Sequence, residues 1–181
     1  MRGTDLDQPT PATRQDGWPA AVEALVVDNG VSGLDVLLAG LTPGTELHRI
    51  DGPQNPWSVL SDLWQRPQLQ RLHLLGHGQP GELRLGRLRM RQAWLQRLTP
   101  PHRQRPLQAI CFWSCCTGAG GAGQHFLQGV ADLSGSAVFA SSTPVGAAQQ
   151  GGRWFLDVCV EPKPGLSRAA PQPPAPTSIP C

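Results

Sequence analysis

Read for the alternation of apolar and polar positions, the chain divides into short apolar runs and longer segments whose apolar residues recur three and four apart. The short runs are Ala24 to Asp28, Glu46 to Ile50, Arg71 to Leu75, Leu107 to Trp113, Ala137 to Ala140 and Arg153 to Val158, and they predict about six strands. Leu34 to Leu41, Pro56 to Gln65, Arg89 to Leu98 and Gly123 to Leu133 carry the helical spacing. Strand followed by helix, repeated, predicts an α/β fold, a three-layer sandwich around a mostly parallel sheet, because a parallel crossover needs about a dozen residues or more. One stretch breaks the alternation. Gly81-Glu82-Leu83-Arg84-Leu85-Gly86-Arg87-Leu88 has period two between a strand and a helix, which predicts a small hairpin flap.

Composition bounds this picture. The 181 residues, 39% hydrophobic and 15% charged, suffice for one domain with a modest core and exclude a multidomain enzyme or a coiled coil. Residues 1–20, rich in Pro, Asp, Thr and Gln, read as a flexible N-terminal segment, and 161–181 as a Pro-rich disordered tail, which leaves 21–160 for the folded domain. A net charge of +2 is too small for a nucleic-acid footprint, and the seven arginines from Arg84 to Arg105 read as a solvated face of the flap and the next helix. No window approaches the roughly 18 apolar residues of a membrane span, and no apolar core follows the N-terminal Arg2 as a Sec signal requires. The default expectation is a cytoplasmic protein, with export by a non-Sec route left open. Five cysteines, two of them adjacent, do not make a disulfide framework, so reduced thiols are expected.

An open parallel sheet binds ligands at the carboxyl ends of its strands. There the third strand runs into Gly76-His77-Gly78 and the fourth into Ser114-Cys115-Cys116-Thr117-Gly118. A cysteine nucleophile needs a partner that raises its thiolate fraction and backbone N–H groups that hold an oxyanion. His77 fits the proton carrier, Cys115 the nucleophile, and the N–H groups of Gly78 and Cys115 the oxyanion donors, with the dipole of the following helix adding positive potential. The vicinal Cys116 leaves open which thiol is reactive. His73 sits mid-strand as a satisfied interior histidine, Cys111 and Cys159 lie within strands as packing residues, and His125 either reaches the site or faces solvent. Metal is not expected, since the paired Cys-x-x-Cys and His-x-x-x-His spacings are missing. Gly118 to Gly123 matches G-x-G-x-x-G, but the acidic residue a dinucleotide site wants about 20 positions on is replaced by Ser141-Ser142-Thr143, so the glycines read as a permissive turn and no cofactor is expected.

An apolar strand ending in His77-Gly78, followed by one ending at Cys115, resembles the clan CD cysteine peptidases, the caspase, legumain, gingipain and separase group, which use a His/Cys dyad. More closely, Gly76 through Gly86 and Cys115 through Phe126 resemble a bacterial domain-of-unknown-function family found at the N-terminal end of large repeat-containing surface proteins, over about Glu23 to Val158. Such members read Ser-His-Gly and Gly-Cys-Asn where this chain has Gly76-His77-Gly78 and Ser114-Cys115-Cys116. The resemblance implies a caspase-haemoglobinase-like sandwich and peptidase-type hydrolysis of a peptide or protein substrate, self-processing included, by His77 and Cys115 without a cofactor. It also sets Asp28 and Asn29 beside the pocket for the residue before the scissile bond, where an acid would suit Arg or Lys. Asp28 has a second reading as a turn cap. The alternative function is a non-catalytic binding or adhesin-associated module of the same fold, with a vestigial dyad.

Overall fold

The computed structural model describes residues 22–39, 41–52, 54–95, 105–147 and 151–164. In chain order the elements are β1 (Val22–Asp28), α1 (Leu34–Ala39), β2 (Glu46–Ile50), α2 (Pro56–Gln65), β3 (Leu69–Leu75), β4 (His77–Gln79), β5 (Glu82–Leu85), β6 (Leu88–Arg91), α3 (Gln92–Leu95), β7 (Ala109–Trp113), α4 (Gly120–Ser134), β8 (Ala137–Ala140) and β9 (Val158–Val160). The expected N-terminal segment, the tail from residue 165 onward and the last residues of the third predicted helix lie outside the described residues.

Six strands form one sheet in the order β2-β1-β3-β7-β8-β9, parallel except for β9, which runs antiparallel to β8. Side chains alternate across it. Ala24, Val26, Leu72, Leu74, Ile110, Phe112, Val138 and Ala140 face α2, α3 and α4 in the main core, while Leu25, Val27 and Leu75 face α1 in a smaller one. With both faces covered, β1 is buried from Ala24 to Asp28, which is why its sequence is a continuous apolar run rather than an alternating one. This is the expected α/β architecture, a mostly parallel six-stranded sheet with helices, consistent with a three-layer caspase-like sandwich.

Four expectations need correction. The flap is a three-stranded antiparallel sheet, β4-β5-β6, that begins at His77 itself. Leu83 and Leu85 are fully buried and, with Met90, join the main core. Burial contributes roughly 1.5–3 kcal/mol for each such side chain. The period-two alternation persists through Arg91, so the helix expected from Arg89 starts at Gln92. The strand expected over Arg153 to Val158 begins only at Val158. Arg153 to Asp157 form a return arm instead, tied by the Arg153 N–H to the Pro144 carbonyl (3.0 Å) and by Asp157 to the Ser142 N–H (2.8 Å), with Trp154 and Phe155 exposed. Cys111 is buried as expected, but Cys159, on the edge strand, is exposed.

His73 is satisfied within the sheet. Its Nδ1 accepts from the Trp113 indole N–H (3.1 Å), and its Nε2 lies 3.6 Å from the Glu23 carboxylate. Burial lowers its pKa below the ordinary 6.5, with Glu23 opposing the shift. The folded chain thus binds this proton less readily than the unfolded one, so stability present above about pH 6.5 is lost as pH falls through the window beneath it. Urea midpoints between pH 7 and pH 5 should fall, and His73→Gln should flatten that slope; an unchanged slope would assign the loss to other groups.

Candidate active site

β3 and β7 are parallel neighbours in register, Leu75 opposite Trp113, so both release their chains at the same edge of the sheet. The first residue beyond β3, Gly76, still donates its N–H to the Trp113 carbonyl (3.3 Å). The strand order reverses beside this place, because β1 connects outward to β2 and β3 connects the other way to β7; such a switch point opens a crevice at the carboxyl ends.

The flap is clamped onto the loop that carries Cys115. A β-carbon at Gly78 would lie 2.6 Å from the Cys115 carbonyl oxygen and 2.8 Å from Cβ of Ser114, and closer still to the Thr117 hydroxyl. Only glycine permits this approach. The buried Thr117 hydroxyl donates to the Glu82 carbonyl (3.2 Å) and shares a 2.6 Å hydrogen bond with Ser114, while Gly81 N–H donates to the Thr117 carbonyl (3.0 Å). The glycine run read as a turn is helical from Gly120, and Gly123, within the first turn of α4, packs against the backbone of Gly118 and Thr117. His77, one residue before Gly78 on the same short strand, is exposed.

Asp28 secures the other end of the flap. It is 8% exposed, its Oδ1 accepts from the Gly30 N–H (2.9 Å) and its Oδ2 from the Gly86 N–H (2.8 Å) in the β5–β6 turn. The first bond is the turn cap weighed from the sequence; the second reaches across 58 positions of sequence. Asn29 is exposed, donates to the Asp51 carboxylate (2.8 Å) and accepts from Arg49 (3.3 Å).

Cys115 is half-buried, and its Sγ lies 3.4 Å from the Val145 nitrogen, which donates to it, and 3.5 Å from the Val145 carbonyl oxygen. The segment after β8 thus covers the thiol. It is laced to the Cys115 loop by Cys116 N–H to the Thr143 carbonyl (3.0 Å) and Gly118 N–H to the Ser141 carbonyl (2.9 Å). Cys116 has φ 57°, the left-handed region. There the β-carbon is strained, and asparagine is among the few residues that tolerate it. At Gly76 a β-carbon would collide with the Arg84 carbonyl, so the flap sits closer here than a side chain would allow.

Other candidates are not drawn in. His73 remains on the sheet, and His125 is exposed on α4. Burial raises the Cys111 thiol to about 11. Among the described residues no three His, Cys, Asp or Glu side chains gather as a metal site needs. Thr117 and Val145 escaped sequence reasoning. The Ser-Cys-Cys-Thr string offered a hint of the first, whereas nothing local to Val145 signals a contact 30 residues away.

A family model described as a domain of unknown function (DUF4347) matches residues 24–169. The chain belongs to this family. No curated protein and no solved structure matches it. The match covers the sheet from Ala24 onward, the flap and the loop after β8, so the clamp around Cys115 is part of the DUF4347 domain itself.

Two variants probe this construction. Gly78→Ala should lower stability by about 1–3 kcal/mol in urea titrations, the usual cost of overpacking against backbone; an unchanged midpoint would mean that the flap is not held where described. Cys116→Asn should raise stability by about 0.5–1 kcal/mol by relieving left-handed strain, read in the same titration.

Proposed function

We propose that this DUF4347 domain is a caspase-like cysteine hydrolase of the clan CD type, acting on peptide bonds of a protein substrate or of its own longer chain. The observation that supports the reading is the Gly78 contact, which presses the short strand beginning at His77 against the loop that carries Cys115. Cys115 Sγ attacks the scissile carbonyl carbon, and the resulting oxyanion is held by the N–H groups of Gly78 and Cys115. His77, holding the thiol proton, delivers it to the leaving amine, and the C–N bond breaks to give a thioester. Water, deprotonated by His77, then cleaves the thioester and restores the thiol. The Val145 N–H supports the sulfur's negative charge before attack. Asp28 serves this scheme by holding the flap that carries His77, since both of its oxygens are taken by backbone donors. Asn29 is the exposed residue at the end of β1 and contacts substrate there. Surface-protein context belongs to the same proposal and follows from the resemblance alone. No described helix is long and apolar enough to cross a membrane.

A second reading, a binding module of the same fold, draws on the Val145 carbonyl, to which a protonated Cys115 thiol donates in the described arrangement. Site-resolved alkylation of the reduced protein across pH, read by mass spectrometry, separates the two. Cys115 should label fastest, and its labelling should slow in His77→Ala. Exposed Cys159 and buried Cys111 serve as internal references, burial raising both and Cys111 to about 11. Fastest labelling at Cys116 would move the nucleophile by one residue, and labelling without selectivity would favour the binding module.

A further inference from the structure

Across the outer face of the flap three basic side chains stand in one row. The antiparallel register sets His77 opposite Arg84 and Arg84 opposite Arg89, and all three are exposed. Residues directly opposite in an antiparallel pair point to the same face with β-carbons about 4.5–5.5 Å apart, and like charges there are unfavourable. The next row holds Gln79, Glu82 and Arg91, and Glu82 reaches Arg89 diagonally at 3.5 Å. Among the described residues Arg84 has no carboxylate partner. The stretch from His77 to Arg91 has four arginines and one glutamate, whereas the rest of the chain has eleven basic residues against twelve acidic. The positive charge of this protein is therefore concentrated on the flap, next to His77. A solvated surface has no need to set two arginines face to face, but an anionic ligand lying across the row would turn that repulsion into attraction.

We infer that the His77–Arg84–Arg89 row binds an acidic peptide segment of the substrate. The side of the scissile bond on which it lies rests on the proposed hydrolase: His77 hands its proton to the leaving amine and heads the row, so the acidic residues follow the cleaved bond. Peptide is favoured over nucleic acid because the row is one flap wide and the rest of the chain carries slightly more acidic than basic residues.

Binding is measured on the full chain carrying Cys115→Ala, so that nothing turns over, by fluorescence anisotropy with a labelled peptide containing four glutamates and a matched peptide containing four glutamines. The acidic peptide should bind more tightly, lose affinity as salt is raised, and weaken about tenfold in the double variant Arg84→Gln, Arg89→Gln, while the neutral peptide is unaffected. Thermal midpoints of that variant should stay close to those of the parent, because the relieved Arg84–Arg89 repulsion offsets the lost Glu82–Arg89 pair. Equal binding of the two peptides, equal loss of both in the variant, or tighter binding of a single-stranded oligonucleotide would each overturn the inference. If alkylation finds no selective thiol but the acidic peptide still depends on Arg84 and Arg89, the hydrolase reading falls and the acidic partner stands. In an active protein, cleavage of peptides with glutamate before the bond, and not of those with glutamate after it, would overturn the placement.

Discussion

Everything near the carboxyl ends of β3 and β7 depends on the approach of Gly78 to the backbone of Ser114, Cys115 and Thr117. A parallel sheet presents its strand ends together, but it does not decide which side chains meet there. The contact at Gly78 presses the first strand of the flap against the Cys115 loop. The Thr117 hydroxyl and the Gly81 N–H then satisfy polar groups that the approach has removed from water. Without such pairing a close backbone contact of this kind would leave donors and acceptors buried and unmade, which costs more than the contact returns.

The flap is held on three sides, and each hold uses a different kind of force. Leu83, Leu85 and Met90 sink into the main core, Asp28 accepts the Gly86 N–H at the far turn, and Thr117 grips the near end. A carboxylate accepting two backbone N–H groups in a nearly closed site is well placed to bear that tension, because charge-assisted bonds are the stronger ones. The outer face is free of these duties. That freedom is what allows Arg84 and Arg89 to stand opposite each other with His77 in the same row.

The two cysteines of the vicinal pair are distinguished by backbone rather than by side-chain chemistry. Cys116 occupies a left-handed turn and gives its N–H to Thr143, which spends its geometry on the loop. Cys115 instead directs its sulfur at the Val145 peptide, a group from a different part of the chain that both covers it and offers it a hydrogen bond. The segment after β8 is thus as much a wall of the site as the flap is.

The positions of β2, α2 and β8 follow from the sequence to the residue, and β1, β3 and β7 nearly so, because each is a local periodicity with its own stop signal. The positions of His77 and Cys115 just past two strand ends were legible for the same reason. The start of β9 was not, since Trp154 and Phe155 have the bulk of strand residues but lie on an arm that must first return from the crevice, and a period-two stretch too short to count its strands hid β4. By itself, then, the sequence determined the α/β alternation and which residues end the strands, through interactions between near neighbours. Only the tertiary structure decided that Asp28 holds Gly86, that Val145 covers Cys115 and that three basic residues share a row, because each of these joins positions whose separation in the chain carries no local signal of their meeting.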